Sequence, residues 1–302
     1  MKPTLLVLAA GMGSRYGKLK QMDGFGPNGE TIIEYSIYDA IKAGFGKVVF
    51  IIRESFRLEF EEYFRPKLEG RIEMEFVAQE ISNVPEGSMF IQEREKPWGT
   101  AHAVWVAAKA IQEPFGVINA DDYYGVDAYK TLADFLTDNN NTNGDYAVVA
   151  YYLRNTLSDH GTVNRGVCIS DEQGFLKGVR ECIKIKRDAD GIIRYPDKDG
   201  VYAELTEDTL VSMNMWAFMP SYFQHAESLF RTFLKDEGNE LKSEFFIPIL
   251  IDHLIQSDTL KVRVLDTESD WFGVTYQEDK PFVSGEINRL IGQGVYPQKL
   301  WD

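Results

Sequence analysis

The chain has 302 residues, 44 % of them hydrophobic and 13 % aromatic, values of a globular protein with one large core or a core plus an appendage. Its formal net charge of −15 repels nucleic acid and anionic membranes, so a site for a phosphorylated ligand has to bring its own cations. No apolar run reaches the length of a membrane span, Lys2-Pro3 ahead of one short strand is no signal peptide, and Cys168 and Cys182 have no metal-ligand spacing; the expectation is a cytoplasmic protein with two buried thiols.

Leu5 to Ala10 reads as a buried strand that breaks into Gly11-Met12-Gly13-Ser14-Arg15-Tyr16-Gly17 and then Lys18-Leu19-Lys20-Gln21. Glycines let backbone N–H groups approach an anion, and Arg15 and Lys20 neutralise it. Downstream, Ile32, Ile33, Ile37, Ala40 and Ile41 have helical spacing with Gly44 at the helix end. Strands are expected at Lys47–Ile52, Ile72–Val77 and Phe115–Asn119. Helices are expected at Glu54–Tyr63, stopped near Pro66, at Thr100–Ala110 with Thr100 as N-cap, and at Val126–Leu136. This alternation predicts an α/β protein with a doubly wound, mostly parallel, Rossmann-like sheet. After Asn143-Gly144, strands dominate at Tyr146–Leu153, Gly166–Ser170, Phe175–Ile185 and Thr209–Phe218. Helices return at Tyr222–Leu234, Phe245–Gln256 and Lys280–Ile291. The chain reads as one domain: a first half (1–145), a β-rich addition (146–240) and a helical extension (241–302).

The glycine loop fits neither common phosphate motif. Gly11, Gly13 and Gly17 are spaced G-x-G-x-x-x-G, loop chemistry continues through Gly24, Gly26 and Gly29, and no acid closes the next strand at dinucleotide distance. A Walker A sequence is absent. The loop instead suits a polyphosphate gripped by Arg15 and Lys20. The four histidines form no Ser/His/Asp or Cys/His pattern.

Leu8-Ala9-Ala10-Gly11-Met12-Gly13-Ser14-Arg15, followed by Lys20, resembles the signature of the sugar-phosphate nucleotidyltransferase family, including its glucose-1-phosphate uridylyl- and thymidylyltransferase-like members. Pro97-Trp98-Gly99-Thr100-Ala101-His102-Ala103 resembles the family's base-contacting segment, and Asn119-Ala120-Asp121-Asp122 its Mg²⁺-binding motif. The resemblance implies a Rossmann-like sheet with a β-rich sugar-binding portion, and transfer of a nucleotidyl group from a nucleoside triphosphate to a sugar 1-phosphate. It implies Arg15, Lys20 and Asp121 as catalytic residues and Ala10, Gly11, Gly13, Gln92, Gly99 and Thr100 as nucleotide contacts. His102 reads as a packing residue. Gly161, in Asp159-His160-Gly161-Thr162-Val163, falls where the family has Y-G-V; with Glu181 and Asn214 it would contact the sugar.

Mg²⁺ would sit on Asp121, with Asp122 in contact through water. The family's second metal aspartate is missing: Phe272 is read at its position in Asp270-Trp271-Phe272-Gly273, so Asp270 substitutes or Asp121 and phosphates hold the metal alone. Two alternatives stay open, a cytidylyltransferase for a non-sugar alcohol phosphate and a catalytically weak nucleotide-binding regulatory subunit. Neither a nucleic acid nor a membrane is expected as a partner.

Overall fold

The computed structural model describes residues 1–11, 22–141, 143–158, 161–274 and 279–301. Its strands are β1 (Thr4–Leu8), β2 (Lys47–Ile52), β3 (Glu73–Ala78), β4 (Phe115–Asn119), β5 (Asp122–Tyr123), β6 (Tyr146–Tyr152), β7 (Val163–Ser170), β8 (Leu176–Arg187), β9 (Ile193–Pro196), β10 (Tyr202–Leu205), β11 (Leu210–Phe218), β12 (Val262–Thr267) and β13 (Phe272–Gly273). β3, β2, β1 and β4 lie side by side and parallel, with Leu6 opposite Val49 on one flank and Val117 on the other. β11 runs antiparallel to β4 and to β6, and β12 runs parallel to β6.

Alternate residues of one strand serve opposite faces of the sheet. Leu5 and Val7 enter one core with α1 (Ile32–Ala43), α2 (Arg57–Leu68) and α4 (Val126–Thr137). Leu6 enters the other with α3 (Thr100–Trp105), α5 (Ser221–Glu237) and α6 (Ile247–Gln256). Burial on both faces explains why β1 reads as an unbroken apolar run. A third cluster packs α7 (Lys280–Gly292) and the tail residues Tyr296 and Leu300 against Phe25, Ile32, Tyr35 and Phe272.

The doubly wound α/β architecture is therefore present, and the sheet is mixed. Several local expectations change. Pro66 does not stop α2, which continues to Leu68: Phe64 and Leu68 bury one helical face, while Glu62, whose carbonyl Pro66 cannot serve, is an exposed residue. Gly99 rather than Thr100 caps α3; Thr100 is the first helical residue and its Oγ1 accepts from the Ile247 N–H at 3.1 Å. The helix turns into a 3₁₀ segment at Val106–Lys109. Residues 241–302 are not purely helical, since they contribute β12 to the main sheet and β13 to a small pair with β5. Cys182 is buried and Cys168 half-buried, and burial pushes the Cys168 thiol up to about 12. Among the described residues no helix is long and apolar enough to cross a membrane.

β11 has an unusual pair of neighbours. Its second half, Trp216–Phe218, lies beside β4; its first half, Val211–Ser212, lies beside β7 on the same edge. The register against β6 slips between Ser212 and Met215, and Asn214 there has φ = 62°. Asparagine tolerates this left-handed conformation better than most side chains. The slip falls where β4 ends and β7 begins along that edge.

Candidate active site

A cavity of about 500 Å³ opens at the carboxyl ends of β1 and β4. Open α/β sheets bind ligands at this position, where neighbouring strands diverge. Its walls are Leu8 at the end of β1, Ala10 and Gly11 at the start of the glycine loop, Gly99, Thr100 and Ala103 at the start of α3, Asn119 at the end of β4 and Asp121 just beyond it. Gln79, Lys96, Pro97 and Glu244 complete it.

The α3 wall is built by close packing. Gly99 has φ = 110°, and a Cβ there would lie 2.6 Å from the Phe245 carbonyl oxygen, so only glycine fits. The Ala101 N–H donates to that same carbonyl at 3.0 Å. Arg94 staples the preceding loop to the segment before α6. Its guanidinium donates to the carbonyls of Lys96, Pro97, Glu240 and Ser243 and lies 3.7 Å over the Trp98 ring. Trp98 is fully buried with its Nε1 donating to Ile81. On the rim, Lys96 forms a close ion pair with Glu244.

At the slip in β11, Asn214 Nδ2 donates to Asn119 Oδ1 at 2.7 Å, and Trp216 Nε1 donates to Asn214 Oδ1 at 2.8 Å. Asn119 Nδ2 in turn donates to Asp122 Oδ2 at 2.8 Å, and the Tyr124 hydroxyl donates to the same oxygen at 3.3 Å. This chain of amides ties β4, β11 and the Asp121-Asp122 turn into one rigid unit. Gly166 on β7 pairs with Ser212 on one side and with Glu181 of β8 on the other. Directly paired residues share a face of the sheet. The exposed Glu181 carboxylate therefore stands beyond Gly166 on the face that carries Asn119 and Asn214.

The structure thus brings Ala10, Gly11, Gly99, Thr100 and Asp121 together around one cavity; Asn214 bonds to the cavity-lining Asn119, and Glu181 lies farther along the same sheet face. Gly13, Arg15 and Lys20 lie outside the described residues, as do Asp159 and His160. Three expectations are corrected. Gln92 is exposed, bonded through Nε2 to the Phe90 carbonyl at 3.3 Å, and does not line the cavity; the glutamine that does is Gln79, at the end of β3. Gly161 is exposed with open space around it and does not line the cavity, whereas a Cβ on Gly166 would lie 2.6 Å from Val179 Cγ1. Phe272 does not face the Asp121-Asp122 turn: it stacks on Tyr123 at 4.4 Å in the third cluster. Strand alternation aims position 273 instead at the turn, where a Cβ would lie 2.6 Å from Asp122 Oδ1.

Asp270 is exposed and sits 3.3 Å from the Arg289 guanidinium, away from the cavity walls. Among the described residues no group of three or more His, Cys, Asp or Glu forms a metal cage. Mg²⁺ typically takes one or two carboxylates and completes its shell with water and substrate phosphates, and a single cavity-lining Asp121 fits that donor set.

A family model described as nucleotidyl transferase matches residues 5–187. No curated protein matches the sequence significantly. Among solved structures, the inositol-1-phosphate CTP transferase from T. maritima superposes with a TM-score of 0.63 at 14 % identity, over 95 % of this chain and 96 % of that one. A UDP-glucose pyrophosphorylase complexed with UDP-glucose superposes with a TM-score of 0.62 at 15 % identity, over 96 % of this chain and 99 % of that one. At these identities the likeness is one of fold.

Proposed function

The chain belongs to the nucleotidyl transferase family, and from that premise we propose that it transfers a nucleotidyl group from a nucleoside triphosphate to a sugar 1-phosphate, releasing pyrophosphate. The observation that supports this reading is the cavity at the ends of β1 and β4, which holds Asp121 and Asn119 in its wall, with Asn214 bonded to Asn119 and Glu181 farther along the same sheet face. The cavity offers glycine-loop backbone and Asp121 to a nucleotide. The sheet face offers Glu181, an exposed carboxylate, and the Asn119–Asn214 amide chain to a hydroxyl-rich acceptor.

In this reading an oxygen of the acceptor's phosphate attacks the α-phosphorus in line. The bond from that phosphorus to the bridging oxygen breaks, and pyrophosphate leaves with the electron pair. The nucleophile is already an anion at neutral pH, so no general base is needed. Positioning and charge neutralisation do the catalysis. Arg15 would hold the β- and γ-phosphates and Lys20 the α-phosphate, while Asp121 would hold Mg²⁺. Such an ion, when bound, neutralises charge that builds on the phosphate oxygens.

The test is pyrophosphate release across several triphosphates, with glucose 1-phosphate and its relatives and with alcohol phosphates as acceptors. A sugar phosphate is expected to give product. Product only from an alcohol phosphate would make the chain a different transferase, and nucleotide binding without product from any pair would make it a regulatory subunit. Arg15→Ala and Lys20→Ala are each expected to lower turnover roughly 10²- to 10³-fold, the scale for losing one transition-state charge contact. Full activity in both variants would remove the glycine loop from the mechanism.

A further inference from the structure

His102 is not used in the transfer chemistry, yet it is buried beside the cavity and bonded to a residue that lines it. Gln79 Nε2 lies 3.1 Å from the Gly99 carbonyl oxygen and 3.0 Å from His102 Nδ1. The Gly99 oxygen can only accept. On the far side of the imidazole, Nε2 lies 2.7 Å from the Asn83 carbonyl oxygen, which also can only accept. The ring proton therefore resides on Nε2, and Nδ1 presents a lone pair. Burial holds the imidazole pKa down at about 4, so the ring stays neutral. Both hydrogens of the Gln79 amide are thus claimed, one by Gly99 and one by His102. An amide has two orientations, and here the second would set its oxygen against two acceptors. The atom left for Gln79 to offer the cavity is Oε1, which makes no hydrogen bond among the described residues.

We propose that His102 is a specificity-determining positioning residue: it locks Gln79 so that the cavity reads the nucleobase with a carbonyl oxygen and selects uracil or thymine over cytosine. The inference rests on the nucleotidyl-transfer reading above. A uracil or thymine ring meets Oε1 with its N3–H, which has a carbonyl on either side. Cytosine has a lone pair at N3, so it has to slide along the cavity to bring its exocyclic amine to the same oxygen. Nothing on the acceptor side enters the argument.

The experiment uses the full chain and measures UTP against CTP, both as kcat/KM for pyrophosphate release and as direct nucleotide binding. A ratio of two nucleotides on one protein sample does not depend on how much of that sample is folded. Wild type is expected to favour UTP by about 5- to 150-fold, the scale for leaving a buried polar group unmatched. His102→Leu keeps the bulk and removes the acceptor, and is expected to bring the ratio close to one. His102→Asn keeps an acceptor at the δ position and is expected to retain most of the preference. Gln79→Ala should lose the preference as His102→Leu does, and the double variant should lose no more than either, because both act through one contact. A wild-type preference for CTP, or an undiminished UTP preference in folded His102→Leu, would overturn the proposal. A UTP binding preference without product from any acceptor would support it and instead sink the transfer reading.

Discussion

Two buried ionisable residues respond to pH in opposite senses. Asp39 on α1 is almost wholly enclosed and accepts from the Tyr296 hydroxyl at 2.6 Å, and burial raises its carboxyl to about 7. The folded state therefore binds a proton that the unfolded chain, with an ordinary pKa of 3.8, releases. Stability from this residue is fully present below about pH 4 and lost as pH rises to about 7. His102, held at about 4 against an ordinary 6.5, contributes stability that is present above about pH 6.5 and lost as pH falls to about 4. Asp39→Asn removes the first effect alone. Urea unfolding should show the variant gaining on wild type by about 4 kcal/mol from pH 3 to pH 8, the free-energy equivalent of the Asp39 shift. A difference that stays constant with pH would mean that the Asp39 carboxyl titrates alike in the folded and unfolded chain.

Among the elements, the α3 wall depends most on one residue. Gly99→Ala meets both a left-handed φ and the Phe245 carbonyl, so the wall must move. The expected cost is about 1–3 kcal/mol in unfolding free energy, with weakened nucleotide binding. Gly87→Ala is the control, since Gly87 has φ = 78° but open space around it; it should leave binding unchanged. Equal binding losses in the two variants would show that Gly99 matters for backbone conformation and not for contact with Phe245.

The legibility of the sequence follows the same physics. α1 was readable because its apolar spacing ends on Gly44, which adopts φ = 103°. β9 and β10 escaped notice because they are four residues each, with Ile193 and Tyr195 as the only fully enclosed side chains between them. β12 was hidden by Arg263 and Asp266, which face outward from an otherwise apolar strand. The residues carried by local motifs, Ala10-Gly11, Gly99-Thr100 and Asp121, line one cavity. Gln79 was missed because a long loop separates it from Gly99, and only the hydrogen bond to that residue's carbonyl reveals the pairing. Gly166 had a signal that passed unread: it lies in a strand pattern, where glycine often marks close approach of another backbone or a ligand.

At the scale of the whole molecule, the carboxyl-terminal tail closes over the beginning of α1. Trp301 Nε1 donates to Glu34 Oε1 at 2.8 Å, and the same fully buried carboxylate meets Lys67 at 3.0 Å and the Tyr63 hydroxyl at 2.7 Å. The Tyr296 hydroxyl also meets that of Tyr123, one residue from Asp122. Removal of residues 296–302 exposes the sites of Tyr296 and Leu300 and strips Glu34 of a partner. Burial of two large apolar side chains puts the loss at about 3–6 kcal/mol, read as a fall in the unfolding midpoint. An unchanged midpoint would make the tail an ornament.

The kink at Asn214 has a consequence for how such a molecule changes over generations. One strand, β11, shares its edge between two antiparallel neighbours, β4 of the central sheet and β7 of the β-rich arm. The arm can lengthen, shorten or trade side chains along β8 without disturbing the hydrogen-bond ladder that fixes β4 and β1. A lineage can in this way rebuild the arm while the central strands stay as they are, with Asn214 marking the border between the part that varies and the part that does not.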